Sequence, residues 1–268
     1  MKRVIVSFVT NVSEPGLTRM PILEQAMQWL ASNGPLLTAP PLPAWALERL
    51  VRTGRILRLR RDVYLAPTNT GRLPSIAATI GLVSPGGYIT SYAAMILHGL
   101  TDQDTNTYVV ITDSRQADAK YGQRSIRFVW APARATCAHT ELRTYDDVLV
   151  RVATPAQAVF DALALPRYAP HWRELTKIVR IGLESARIDR QELVDLAAAA
   201  NSPALARRIG YVLELGGAGI DQSLLRLARR SHDQTALLPD APVRATKTEW
   251  RLQLPAEERE LEAASSEL

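Results

Sequence analysis

The stretch Pro43–Pro67, with the sequence PAWALERLVRTGRILRLRRDVYLAP, contains two apolar periods in succession. In its first half, apolar residues recur at helical spacing and form one face, at Ala46, Leu47, Leu50 and Val51. Beyond them, branched and aromatic residues occur in two short runs, which is the pattern of β-strands. The stretch therefore predicts a helix followed at once by a two-stranded hairpin.

Residues with known preferences for helix ends and turns lie at the borders of these elements. Pro43 suits the first turn of a helix, and Gly54 suits the position just after the last turn. The runs Ile56–Leu59 and Val63–Ala66 are the two predicted strands, and residues 60–62 form the turn between them. A short helix that leads directly into a basic hairpin is typical of the recognition helix and wing of a winged helix-turn-helix.

Six arginines lie in this stretch, against two acids. Arginine is the side chain best shaped to bind phosphate in a bidentate manner. A helix that fits a major groove, beside a hairpin that lies along the backbone, predicts binding to double-stranded DNA. The predicted DNA-binding residues are Trp45, Glu48, Arg49, Arg52, Arg55, Arg58, Arg60 and Arg61. The alternative is that the arginines form only a solvated charged face.

The distribution of charge supports the same division of the chain. The 268 residues allow two domains of ordinary size, and 47% of them are apolar. Residues 1–67 hold nine Lys or Arg against four acids, a net charge of +5, which is the formal charge of the whole chain. A basic N-terminal module on a neutral body indicates a nucleic-acid partner at one end.

We expect an α+β fold, in which an N-terminal winged helix-turn-helix precedes a larger mixed α/β domain with a helical C-terminal half. The expected parts are an N-terminal arm (residues 1–17), the winged helix-turn-helix (18–70), the second domain (73–254) and an acidic tail (255–268). The tail is expected to be mobile because its charges are almost all glutamates. The Pro-rich segment Leu36–Leu42 indicates that the middle helix of the expected three is brief or replaced by turns.

Helical and strand patterns mix in the second domain. The predicted helices are about 19–32 before this domain, then 76–82, 92–98, 155–164 and four in succession over 172–230. The predicted strands are 88–90, 108–112, 126–130, 148–152 and 248–254.

Residues with catalytic or metal-binding chemistry are scattered. The four histidines form no i, i+4 pair, so no metal site is predicted. Gly216–Gly219 lacks the Gly-Lys-Ser/Thr ending of a P-loop and predicts a turn between helices. A metal-dependent nuclease would use Asp113 with a further acid and a lysine, but the next strand, Ile126–Trp130, has no carboxylate. We predict no catalytic residues, no cofactor and no enzymatic activity.

A reducing cytoplasm is the expected location. The single Cys137 cannot form an internal disulfide. The apolar run Val4–Val9 is too short for a signal peptide, and no stretch approaches 18 apolar residues. No membrane partner is expected.

Several segments occur in order along nearly the whole chain: Gly54–Tyr64, Thr90–Ala94 with His98–Gln103, Ala153–Asp161, and Arg207–Glu214. Together they resemble the AbiEi-type antitoxins of type IV toxin–antitoxin systems. Two departures concern the DNA-binding module: Asp62 stands in the wing turn where the family usually has Gly, and residues 39–43 are rich in Pro.

The resemblance implies that the N-terminal domain binds inverted repeats in its own promoter and represses it. It also implies that the second domain neutralises a nucleotidyltransferase-like toxin, directly or indirectly. The candidate antitoxin surface is a set of four residues on one helix, unless they only brace that helix: Arg207, Arg208, Tyr211 and Glu214. Two other functions stay open, a DNA-binding head fused to a metal-dependent nuclease and a transcription factor whose second domain senses a small ligand.

Overall fold

The N-terminal part of the chain forms a three-stranded antiparallel sheet packed on one helix. The computed structural model describes residues 26, 29, 30, 32–68, 70–239 and 241–266. The sheet has the order β1-β3-β2, and its elements are β1 (Leu36–Thr38), α1 (Ala44–Arg52), β2 (Leu57–Arg60) and β3 (Val63–Leu65). The predicted helix and hairpin are thereby confirmed.

The C-terminus of α1 is closed by the glycine that the sequence places there. Gly54 has a φ of 68°, and its N–H donates to the carbonyl of Val51 at 3.0 Å. The N–H of Arg55 donates to the carbonyl of Leu50 at 2.9 Å. These two bonds form a Schellman motif, which satisfies carbonyls that the last turn would leave unpaired. The motif turns the chain directly into β2.

The turn of the hairpin explains one departure from the family pattern. Asp62 has a φ of 56°, the left-handed region that glycine enters most easily and that Asp tolerates better than most residues. Its carbonyl accepts a hydrogen bond from the N–H of Ala39 at 2.7 Å. Residues 36–42 form strand β1 and bends, so the expected middle helix is replaced, as the prolines predicted.

The start of the chain lies mostly outside the described residues. This holds for the whole N-terminal arm (1–17) and for most of the helix predicted from Arg19 to Ser32. The described positions 26, 29, 30 and 32 are helical, and Ala26 and Leu30 are buried in the N-terminal core.

The second domain is built on a six-stranded mixed sheet with the order β6-β7-β5-β4-β9-β8. The pairs β5/β7 and β4/β9 are parallel, whereas β4/β5, β6/β7 and β8/β9 are antiparallel. The strands are β4 (Tyr88–Thr90), β5 (Thr107–Thr112), β6 (Ala119–Tyr121), β7 (Arg124–Trp130), β8 (Thr140–Tyr145) and β9 (Val148–Ala153). The predicted strands among them are confirmed, and β6 and β8 were not predicted.

Helices cover this sheet and continue beyond it. They are α2 (Ile76–Val83), α3 (Ser91–Leu97), α4 (Pro132–Cys137), α5 (Pro155–Ala164), α6 (Trp172–Glu184), α7 (Arg190–Ala200), α8 (Pro203–Leu215), α9 (Gln222–Ala228) and α10 (Glu258–Ser266). Thr154 caps α5, because its Oγ1 accepts from the N–H of Gln157 at 3.2 Å. The four successive helices predicted between 172 and 230 are α6 to α9. None of the helices in the described residues is long and apolar enough to cross a membrane.

The C-terminal segment corrects two expectations. A small sheet of order β10-β12-β11 forms from β10 (Thr235–Ala236), β11 (Ala245–Lys247) and β12 (Leu252–Leu254), so the strand predicted from residue 248 begins only at Leu252. The acidic tail was expected to be mobile, but it folds as α10 and packs against α6, with Leu261 fully buried. An apolar residue among the glutamates gives the tail a face that can bury.

The N-terminal sheet and the second domain share a core. Leu59, Val63 and Leu65 of the hairpin belong to the main hydrophobic cluster, and β2 contacts β6. Between the N-terminal sheet and α2, the N–H of Thr68 donates to the carbonyl of Arg72 at 2.8 Å. The hairpin therefore contributes side chains to both the N-terminal core and the main core.

Trp250 is the largest fully buried side chain of the structure, and it packs against a glycine of α8. A Cβ at Gly210 would lie 2.2 Å from the indole Cη2, so Gly210→Ala forces the ring out of place. We expect a loss of about 1–3 kcal/mol in the free energy of unfolding, measured by denaturant titration. The matched control is Gly86→Ala, where a Cβ meets only the Asp113 carboxylate at 3.8 Å; equal losses in both variants would contradict the packing argument.

Candidate functional site

Five arginines of α1 and the hairpin are exposed, and together they are called here the arginine surface: Arg49, Arg52, Arg55, Arg58 and Arg61. Among the described residues, the first four make no hydrogen bond or ion pair with another side chain, whereas Arg61 lies 3.5 Å from the Asp62 carboxylate. Guanidinium groups without protein partners are free to bind an external anion.

Secondary structure fixes the spacing of these arginines. Arg49 and Arg52 lie in the last turn of α1, where the helix dipole favours positive charge. Arg58 lies on β2 opposite Tyr64, and its side chain points away from the buried face of the hairpin. Of the other predicted DNA-binding residues, Trp45 is 37% exposed and Glu48 is exposed. Seven of the eight predicted residues are thus exposed, and Arg60 is half-buried.

Arg60 corrects the prediction at one position. Its Nη1 donates to the carbonyl of Ala117 at 2.6 Å, and its guanidinium lies over the Phe128 ring at 5.8 Å. Both partners belong to the second domain. Regular alternation along β2 would place Arg60 on the same face as Arg58, but a register shift interrupts the strand between them. Arg60 therefore fastens the hairpin to the six-stranded sheet and does not belong to the arginine surface.

The predicted antitoxin surface on α8 is not a surface. Arg207 is 1% exposed, and its guanidinium donates to the Thr235 hydroxyl at 2.8 Å and to the carbonyls of Ala228 and Ser231 at 2.9 and 2.7 Å. Burial lowers the pKa of Arg207 below its ordinary value. This side chain ties α8 to the segment that follows α9.

Arg208 also joins α8 to parts of the chain that are distant in sequence. Its Nε donates to the carbonyl of Ala236 at 2.9 Å and its Nη1 to the carbonyl of Leu163 at 3.0 Å, so it joins the end of α5 to β10. Burial lowers the pKa of Arg208 as well. Spacing at i and i+4 could not distinguish an outward face from a face covered by a later segment, because the covering segment lies more than 20 residues downstream.

Tyr211 and Glu214 complete this correction. Tyr211 is fully buried, and burial raises the pKa of its phenol. Glu214 accepts a hydrogen bond from the Trp250 indole at 2.6 Å and pairs with Lys247 at 3.1 Å. The four predicted residues thus brace α8 against the C-terminal segment, which was the alternative interpretation of the sequence.

A buried carboxylate lies at the centre of the second domain. Asp161 of α5 is fully buried and accepts hydrogen bonds from four side chains. The donors are the Tyr88 hydroxyl at 3.0 Å, the Thr90 hydroxyl at 2.7 Å, the Gln157 amide at 3.0 Å and Arg134 Nη1 at 3.1 Å. Burial raises the pKa of Asp161, and these bonds and the Arg134 charge oppose the rise. The sequence predicted a strand and a helix here, but no signal paired Tyr88 or Arg134 with this acid.

His98 also serves the fold. Its Nε2 donates to the carbonyl of Ala153 at 2.7 Å, and its Nδ1 accepts from Arg143 at 2.8 Å. Burial lowers the pKa of His98, which favours the neutral ring that this pattern requires. The segments that carry the family resemblance therefore supply several of the buried polar contacts of the second domain.

The glycine-rich segment after α8 is a turn, as predicted. The N–H groups of Gly217 and Ala218 donate to the carbonyls of Glu214 and Leu213, both at 3.0 Å, so they are not available to a phosphate. Over the described residues, no group of three or more His, Cys, Asp and Glu side chains could hold a metal ion. A cleft of about 670 Å³ lies beside α4, α5 and α7, and apolar atoms form most of its wall.

Comparison with known proteins finds a family similar to the second domain. Residues 87–215 match the model of the family described as AbiEi antitoxin C-terminal domain. The RV2827C protein from Mycobacterium tuberculosis has a similar fold, with a TM-score of 0.61 at 14% sequence identity, covering 88% of this chain and 92% of that one. No curated protein matches the sequence. The match begins just before β4 and ends with α8, so it spans the six-stranded sheet and the buried network around Asp161. Residues 87–215 are therefore similar to the C-terminal domain of the AbiEi antitoxins.

Proposed function

We propose that this chain is an antitoxin that also binds its own promoter and represses its transcription. In this proposal, residues 18–70 are a winged helix-turn-helix that binds double-stranded DNA, and residues 73–254 counteract a nucleotidyltransferase-like toxin. The observation that carries the DNA-binding role is the arginine surface on the C-terminal half of α1 and the hairpin, in which every arginine except Arg61 lacks an ion pair or hydrogen bond with a described side chain.

The order of elements supports the same role. α1 is followed after four residues by β2, and a third strand, β1, pairs with β3 at the far side of the hairpin. In winged-helix proteins the recognition helix enters the major groove and the hairpin contacts the backbone. Arg49 and Arg52 would then lie beside the groove, and Arg58 and Arg61 would contact phosphates.

The antitoxin role rests on the family match of the second domain. The correction of Arg207, Arg208, Tyr211 and Glu214 leaves the toxin-facing surface to other residues of this domain. The hairpin shares a core with the six-stranded sheet, so a truncation at residue 70 would expose Leu59, Val63 and Leu65. DNA binding and toxin neutralisation are therefore best separated by substitutions in the full chain.

DNA binding should depend steeply on salt, because phosphate contacts release counterions. We expect Arg49→Ala, Arg52→Ala and Arg58→Ala each to lower the slope of log affinity against log salt by about one. The measurement is fluorescence anisotropy of full-length protein on the upstream region of its own operon. Arg229→Ala, at an exposed arginine behind α9, is the matched control and should leave the slope unchanged. If the variant that combines all three substitutions has the same slope as the natural protein, the arginine surface does not bind DNA.

A variant of the arginine surface should lose repression of the promoter and keep protection against the toxin. The triple variant Arg49→Ala, Arg52→Ala, Arg58→Ala removes only exposed side chains, so the fold and the second domain should persist. With antitoxin and toxin expressed from unrelated promoters, we expect it to restore growth as well as the natural chain while failing to repress a promoter fusion. A variant with an unchanged melting temperature that loses protection would place the arginine surface in toxin neutralisation.

The nuclease alternative has its own test. Asp113 follows β5, and the neighbouring strand β7 carries Arg127 in an ion pair with Asp118 but no second acid. We expect plasmid and single-stranded DNA to stay intact when incubated with the purified protein in Mg²⁺ or Mn²⁺. Cleavage that disappears in Asp113→Ala would replace the proposal with a DNA-binding head on a nuclease domain.

A further inference from the structure

One edge of the six-stranded sheet is open. Of the two edge strands, β6 has three residues and lies beside β2 of the N-terminal sheet. β8 has six residues and pairs with β9 in an unbroken register, and within the described residues no strand pairs with its other side. A regular edge strand of this length is a template for pairing with another strand.

The turn between β8 and β9 decides which backbone groups face this edge. Asp146 and Asp147 have φ values of 47° and 62°, as a two-residue type I′ turn requires. Such a turn is closed by a hydrogen-bonded pair, here Tyr145 and Val148. Because bonding alternates along an antiparallel pair, every second residue of β8 directs its N–H and C=O to the open edge. These residues are Thr140, Leu142 and Thr144.

Apolar side chains lie beside these groups. Leu142 is 67% exposed, and Leu149 on β9 is 65% exposed. Leu142 pairs with Arg151, two positions from Leu149, so the two leucines are diagonal neighbours on one face of the sheet. Large apolar side chains that share an exposed face next to an open edge indicate a contact surface.

The charged residues of β8 select the partner. Glu141 and Arg143 lie on the opposite face from Leu142, two positions apart, and their side chains pair at 3.0 Å. If β8 pairs antiparallel with a second copy of itself and Leu142 lies opposite Leu142, then Glu141 lies opposite Arg143 of the other copy, twice. A slip of two residues, which moves the two-fold axis by one residue, would bring Arg143 opposite Arg143, or Glu141 opposite Glu141, and either pairing is repulsive.

We propose that two copies of this chain associate through β8, with a two-fold axis at Leu142, so that two six-stranded sheets become one continuous sheet. The outward N–H and C=O groups of Leu142 then bond to those of the second copy, and the register matches the one that charge selects. Leu142 and Leu149 of both copies form an apolar stripe across the axis. This interface uses neither the arginine surface nor the buried network of Asp161, so it goes beyond the proposed function.

The oligomeric state tests the proposal directly. Sedimentation velocity of the full chain, from low micromolar to several hundred micromolar protein, should show a monomer–dimer equilibrium. Leu142→Asp places two like charges on the axis and should weaken dimerisation about tenfold or more. Val243→Asp, the same kind of change at an apolar residue that is 53% exposed elsewhere, is the matched control and should dimerise like the natural chain.

Charge exchange tests the register. Glu141→Arg and Arg143→Glu should each weaken self-association, and a mixture of the two variants should form a heterodimer, because each charge then meets its opposite across the axis. Arg143 also donates to the carbonyl of Leu97, so the melting temperature of each variant is measured first. A monomer at every concentration, or a dimer that survives Leu142→Asp, would overturn the proposal. So would a dimer that is lost on deletion of residues 1–17 alone, because the N-terminal arm would then be the contact.

Discussion

The buried carboxylate of Asp161 is the interaction on which the second domain depends. It accepts bonds from β4, from its own helix α5 and from α4, so one side chain fixes the relative positions of a central strand and two helices. A buried ion costs several kcal/mol to desolvate unless its lone pairs are satisfied, and removal of a single partner leaves that cost uncompensated. The network therefore enforces one arrangement of these elements more strongly than apolar packing alone, which tolerates shifts.

Arg207 and Arg208 have the corresponding role at the other end of the domain. Each buried guanidinium donates to backbone carbonyls of segments that are distant in sequence, and together they hold α8 against α5, α9 and β10. Arginines attract attention as candidate binding residues in a sequence, but here their guanidinium groups are already bonded to backbone carbonyls inside the domain. Under the proposed function, any contact of this domain with a toxin therefore falls to other side chains.

Local sequence patterns predicted the positions of most helices and strands, but they did not predict which side chains the packing of these elements buries. Pro43, Gly54 and Thr154 place the borders of α1 and α5 because a cap or a turn depends on a few neighbouring residues. The strand β8 was missed because its exposed edge position gives no simple alternation. The exposure of Arg49 and Arg52 could be predicted from helical spacing, since α1 has one covered face. The burial of Arg207 could not, because the chain that covers it arrives 28 residues later, at Thr235.

If residues 18–70 bind inverted repeats as proposed above, the hairpin that belongs to both cores has a consequence for operator architecture. Leu59, Val63 and Leu65 hold it on the main core, Arg60 holds it on the loop at Ala117, and a hydrogen bond joins Thr68 to Arg72 in the connection to the second domain. DNA-binding heads on flexible tethers accept half-sites at many separations, because the tether absorbs the difference. A head fixed to its body in this way would accept only separations and helical phases that match the dimensions of the protein, so the length of the spacer between repeats becomes a property encoded in the fold.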